Sequence, residues 1–342
     1  MQLTYRPEID GLRTIAVLSV LLYHAQFTLA EAQLLPGGFL GVDIFFVISG
    51  YLITSIIVAE FRTSGKFSVG NFYERRARRL LPALLIVMVA ALPVGWLLLL
   101  PSQLLDMAKS LVASLFFGSN FYWHFTTQAY GAESALLKPF LHTWSLAVEE
   151  QYYILFPFLL VGLYRWRKSL VIPALLTACL LSLVFSQWMT QQDQSLSFYL
   201  LPSRLWELLA GGLLAHAASR RARQPTWVNR IMPTIGLIMI CFSLATIKYG
   251  DGHPGFITVI PVLGTMLLIH FCGSGDWVTR LLASPLFVGV GLISYSLYLW
   301  HYPIFAFGRI VIPKIVDGNR HRPNCGYPQD RKLVLFQDRL LR

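Results

Sequence analysis

Charge is what this chain has least of. Only 13% of its 342 residues are Asp, Glu, Lys or Arg, against roughly a quarter in soluble domains. The acidic share is smaller still, with 17 Asp and Glu against 28 Lys and Arg. Cysteine is equally sparse: Cys179, Cys241, Cys272 and Cys325 fall at no metal-ligand spacing, so neither a disulfide framework nor a zinc or other metal site is expected. No internal repeat is visible, which removes the commonest sequence sign of a secondary transporter. The N-terminus lacks the basic start and small-residue cleavage site of a signal peptide, so the first apolar segment is expected to be retained.

What is abundant is hydrocarbon. Hydrophobic residues make up 55% of the chain and the mean hydropathy is +0.57. They come in runs of about twenty, the length that crosses roughly 30 Å of bilayer core. The expected fold is all-α, a polytopic transmembrane bundle of about nine spans, ten at most. The spans are placed near residues 9–28, 39–60, 80–100, 142–164, 169–189, 203–218, 231–248, 255–272 and 285–308. The net charge of +11 sits mainly in connections 62–79, 165–168 and 220–230, as the positive-inside rule predicts for a cytoplasmic N-terminus. Nucleic acid is therefore not the expected partner; membrane lipid is. The outer segment 101–141 holds an apolar stretch at 111–125, expected to be re-entrant or interfacial. Residues 1–312 read as the membrane domain and 313–342 as a polar, irregular tail.

Lipid should reject several groups in these spans. Arg13 and His24 are eleven residues apart in the first, about 16 Å along a helix axis, and intramembrane ionisable residues are functional by default. In the second, Asp43 either caps a helix N-terminus or, at about the depth of His24, orients and charges that imidazole. Arg75, Arg76, Arg78 and Arg79 mark either a positive-inside stop or a phosphate site. Arg76 and Arg79 share one helical face, Arg75 and Arg78 another, and paired guanidinium forks suit phosphate.

The run at 141–153 carries His142, Trp144, Ser145 and the adjacent carboxylates Glu149 and Glu150. About 100° separates neighbouring side chains, so one of the two faces a given site, and an ion pair with Arg204 or Arg13 is the structural alternative. Arg204 and Glu207 are three apart and can pair with each other. Tyr298 and His301 lie in Ser-Tyr-Ser-Leu-Tyr-Leu-Trp-His-Tyr-Pro, where an interfacial imidazole is the default reading.

Together these stretches resemble the acyltransferase 3 family of bacterial membrane O-acyltransferases. The matching pieces are Arg13 with His24, Gly-Val-Asp-Ile-Phe-Phe-Val-Ile-Ser-Gly-Tyr at 41–51, and the arginines at 75–79. Thr-Trp-Ser-Leu-Ala-Val-Glu-Glu-Gln-Tyr-Tyr at 143–153 and Ile-Ser-Tyr-Ser-Leu-Tyr-Leu-Trp-His-Tyr-Pro at 293–303 complete the set, in the family's order. The resemblance implies a multi-pass enzyme of the bacterial inner membrane. It would move an acyl group, often acetyl, from cytoplasmic acyl-CoA to hydroxyls of a glycan or glycolipid, as in lipopolysaccharide or polysaccharide modification.

On that reading His24 is the essential imidazole, a base for the acceptor hydroxyl or an acyl carrier, and Asp43 or Glu149 orients it. Arg13, Arg75, Arg76, Arg78 and Arg79 handle the donor. His142, Trp144, Ser145, Glu150, Arg204, Glu207, Tyr298 and His301 are substrate-facing or structural polar candidates. Relatives continue with at least one more span, so the membrane domain is expected to be C-terminally incomplete and the tail aberrant. The competing expectation is a transporter or flippase using the same buried groups as a relay.

Overall fold

The computed structural model describes residues 5–29, 32–128, 134–218, 226–273 and 275–319. The tail from 320 onward, Cys325 within it, and the basic residues at 220–223 lie outside these. The described residues are almost wholly helical: α1 Pro7–Ala25, α2 Gly41–Ser64, α3 Val69–Leu98, α4 Pro101–Leu115, α5 Ser119–Thr127, α6 Thr143–Trp166 and α7 Val171–Gln192. There follow α8 Gln194–Tyr199, α9 Leu201–Ala218, α10 Thr226–Thr246, α11 Val259–Phe271, α12 Trp277–Leu282, α13 Pro285–Leu292 and α14 Ser294–Asn319. The β-structure is a two-residue pairing of Thr28–Leu29 with Ala32–Gln33.

Local chemistry sets several boundaries. Pro7 opens α1, with Glu8 and Asp10 in its first turn, where a missing N–H costs nothing and negative charge meets the positive helix end. Asp193 accepts from the Leu196 amide at 2.9 Å to cap α8, and Asp276 caps α12 through Thr279 at the same distance.

Helices α2, α3, α6, α7 and α10 are each long and apolar enough to cross a membrane. The interior and exterior are inverted relative to a soluble protein. Asp43, Arg204 and Glu207 are fully buried, while Leu97 of α3 is 81% exposed and Val89 65%. Apolar residues on the outside are what a lipid solvent requires.

The structure redraws three expected segments. The span expected at 80–100 belongs to a helix that starts at Val69, so the arginines lie in its second and third turns. The single span expected at 285–308 is two helices, α13 and α14, meeting at Ile293. Helix α14 also runs past the expected boundary at 312 as far as Asn319. The apolar stretch 111–125 is split between α4 and α5 by a break at Phe117, whose φ is 54°. Neither piece, at 15 and 9 residues, reaches the twenty or so needed to cross.

Helix α2 is the centre of the bundle and packs on α1, α6, α9 and α11. Its closest neighbour is α9. A Cβ on Gly50 would land on the Leu208 carbonyl, and one on Gly211 on the Val47 carbonyl, the small-residue contact by which membrane helices approach. On its other side Gly41 lies against Ala16 and Ser19 of α1. The two apolar cores of the molecule both draw residues from α2.

Candidate functional site

Three histidines from distant parts of the chain meet at the last turn of α1. His24 comes from the last turn of α1, His301 from the third turn of α14 and His142 from the N-cap of α6. His24 Nδ1 lies 3.1 Å from His301 Nε2, with the rings tilted only 28° apart. His301 Nδ1 is 2.6 Å from the carbonyl of Tyr298, one helical turn back. Arg309 hydrogen-bonds the His24 carbonyl. The His142 ring centroid is 5.4 Å from that of His301 and 5.3 Å from that of Tyr302, on which it stacks.

Helix α14 supplies this wall through Tyr298, His301 and Tyr302, spaced three and four apart on one face. Tyr302 also meets the His24 ring edge-on at 4.9 Å. Tyr298 is the partition: its hydroxyl is 2.6 Å from Ser145 Oγ and donates to the His142 carbonyl at 3.0 Å.

Beyond that partition lies a cavity of about 630 Å³. Helix directions fix its two ends. Val42, Phe45, Ser145 and Tyr298 form the end next to the histidines; Arg6, Arg13, Arg76, Arg79, Glu149 and Tyr153 line the other. Four guanidinium groups there face two carboxylates, Asp10 and Glu149, which favours an anionic occupant.

The arginines are not equivalent. Arg6 is held by Glu8 at 2.7 Å, the Tyr51 hydroxyl at 3.0 Å and the Ile269 carbonyl at 2.7 Å. Arg13 pairs with Asp10 at 2.6 Å, and Asp10 also accepts from Tyr5 at 2.9 Å. Among the described residues, Arg76 and Arg79 form no ion pair. The Arg76 guanidinium lies 3.7 Å from the Tyr153 ring centroid, and its buried Nε has no hydrogen-bond partner.

Arg75 and Arg78 are corrected. They do not line the cavity but point outward, 61% and 79% exposed, to Glu60 at 3.8 Å and Glu74 at 2.7 Å. Glu149 accepts from Ser49 at 2.7 Å and Tyr153 at 3.1 Å on the cavity wall, so it neither orients His24 nor pairs with Arg204. Glu150 is half-buried on the adjoining face and does not line the cavity.

Asp43 is likewise redirected. Gly41 packs level with Ala16 and Ser19, more than a turn short of His24, and Asp43 turns towards α9. Its Oδ1 lies 3.1 Å from Arg204 Nη1 and 3.0 Å from His253 Nε2. Arg204 Nη1 also meets Glu207 at 3.0 Å, and Trp144, Phe46 and Phe198 surround its guanidinium. His253 belongs to the connection between α10 and α11, where burial pushes its imidazole below the ordinary range despite the carboxylate beside it.

The sequence missed Arg6, His253, Tyr302 and Arg309. For Tyr302 a signal existed in its four-residue spacing from Tyr298; for His253, in a connection, there was none.

The family described as "Acyltransferase domain" matches residues 6–316. The peptidoglycan O-acetyltransferase OatA of Listeria monocytogenes is 33% identical over 315 residues, covering 88% of this chain and 49% of the relative. The O-acetyltransferase OatA of Staphylococcus aureus is 34% identical over 316 residues, 89% of this chain and 51% of the relative. The chain thus spans about half the length of the curated relatives it matches. No solved structure matches it.

Proposed function

The chain belongs to the acyltransferase-domain family, and from that premise we propose that it is a membrane O-acyltransferase. It takes acetyl groups from cytoplasmic acetyl-CoA and places them on hydroxyls of a cell-envelope glycan. Peptidoglycan is the first acceptor to test, because the Listeria relative carries that name. The bundle sits in the bacterial inner membrane with its N-terminus and the arginine end of the cavity towards the cytoplasm. That orientation rests on the basic connections. Helices α1, α9, α11 and the α13–α14 pair complete about nine crossings.

The observation that carries this reading is one cavity with Arg76 and Arg79, which form no ion pair among the described residues, at one end and the His24–His301 pair behind the other. Arg76 and Arg79 bind the phosphates of the donor, and the pantetheine arm lies along Phe45 and Phe46. The thioester then rests near Ser145 and Tyr298. His24 takes the proton of the acceptor hydroxyl as its oxygen attacks the acyl carbon, and the thiolate leaves with that proton.

Membranes containing the full chain, incubated with CoA labelled in its acetyl group, are expected to transfer label to glycan. Export of unmodified glycan without label transfer would establish the transporter reading instead. Within the arginine cluster the effects are expected to divide. Arg76→Ala and Arg79→Ala each raise KM for acetyl-CoA about ten- to a hundredfold, in line with about 1.5–3 kcal/mol for a charge-assisted hydrogen bond. Arg75→Ala and Arg78→Ala, being exposed, change it less than about threefold.

A further inference from the structure

The heavy atoms around His301 decide where the protons lie. A carbonyl oxygen only accepts, so at 2.6 Å from the Tyr298 carbonyl the His301 Nδ1 carries the hydrogen. A neutral imidazole has one N–H, which leaves His301 Nε2 with its lone pair free. That lone pair faces His24 Nδ1 at 3.1 Å, so His24 Nδ1 donates and His24 Nε2 is left unprotonated. The direction of the whole chain follows from one backbone carbonyl.

We infer that His301 is a positioning residue that fixes His24 in the tautomer able to act as base, a task otherwise given to a carboxylate. The inference rests on the function proposed above. In the reaction, the acceptor hydroxyl gives its proton to His24 Nε2 as the new C–O bond forms. The resulting imidazolium shares its Nδ1 proton with His301 Nε2. When the C–S bond breaks, the thiolate takes the proton back from Nε2 and both rings are again neutral. Neither candidate carboxylate competes for the role: Asp43 is engaged by Arg204 and His253, and Glu149 by Ser49 and Tyr153. Arg309, bound to the His24 carbonyl, and Tyr302, edge-on to its ring, hold the same turn of α1 without reaching a ring nitrogen.

The test is ¹⁵N NMR of the full chain, labelled at histidine and held in detergent micelles, with His24→Ala and His301→Ala used for assignment. Wild-type His24 is expected to show a protonated Nδ1 and an unprotonated Nε2; in His301→Ala the two nitrogens should exchange protonation. A wild-type His24 protonated at Nε2 overturns the inference, whether or not the variants fold. Because that measurement needs no turnover, a wild type that transfers no acetyl defeats the proposed function and leaves the tautomer result standing.

Activity supplies the second readout. His301→Ala is expected to lower kcat about 10²- to 10⁴-fold, the range of general-base catalysis, with KM for acetyl-CoA unchanged. His301→Gln, whose amide oxygen can accept from His24 Nδ1, should recover to within about tenfold of wild type. Equal loss in both folded variants would mean that His301 only fills space.

Discussion

Replacing His24 by alanine is expected to remove acyl transfer almost entirely, with kcat falling at least about 10³-fold. General-base catalysis contributes about 10²–10⁴. His142 contacts the His301 ring, but the ordered pair belongs to His24 and His301. Donor binding should survive. Arg76 and Arg79 lie at the opposite end of the cavity, so KM for acetyl-CoA should stay within about threefold. The change is also expected to be benign for folding, since His24 is half-buried at the last turn of α1 and truncation there opens no large hole. Initial rates of label transfer in membranes holding equal amounts of each protein measure this. Undiminished transfer by His24→Ala would sink the assignment of the base.

The largest effect on stability is expected at Arg204. It lies with Asp43 at 3.1 Å and Glu207 at 3.0 Å, and all three are fully buried. Removing the cation leaves two carboxylates facing each other away from water, a change that costs about 3–5 kcal/mol. Arg204→Ala should therefore be poorly recovered from membranes and should melt well below wild type in detergent. Arg204→Lys should rescue part of the loss, because both acids meet the single nitrogen Nη1 and an ammonium keeps a charge there. Removing the whole group together, as Arg204→Met with Asp43→Asn and Glu207→Gln, should recover most of the loss. Thermal melts of the single and triple variants decide between these outcomes. A triple variant no better than Arg204→Ala would show that the cluster acts through packing and not through its charges.

Asp43 shows where reading from sequence alone stops. Counting residues along a helix gives depth, because each adds about 1.5 Å. It does not give rotation, and about 100° per residue decides which neighbour a side chain meets. Asp43 departs from its expected place in level as well as in side: its helix begins beside Ala16 and Ser19, more than a turn short of His24. It faces α9 and the loop carrying His253, not His24. The arginines illustrate the opposite case. Their three-residue spacing correctly separated Arg76 and Arg79 from Arg75 and Arg78, since within one helix rotation is legible. Which pair faced the cavity depended on where α6 and α14 pack, and no local pattern encodes that. The helical membrane class was legible because hydrophobic length is a local property. The break between α13 and α14 was not: the apolar run continues through Ile293 without interruption. The His24–His301 contact joins residues 277 apart in sequence, and only the motif resemblance had put the two on the same page.

Helix α3 has one more property that matters to its surroundings. Its 30 residues span about 45 Å, roughly 15 Å more than the hydrocarbon core of a bilayer. The surplus is about ten residues, the length of the stretch from Val69 to Arg79. With the apolar remainder in the bilayer, the exposed Arg75 and Arg78 would rest among lipid headgroups and act as a depth gauge, resisting both sinking and rising of the helix. Since Arg76 and Arg79 are interleaved with them, the same register would, on the proposed function, hold the cavity mouth at the water line, where a soluble, highly charged donor reaches it without entering hydrocarbon.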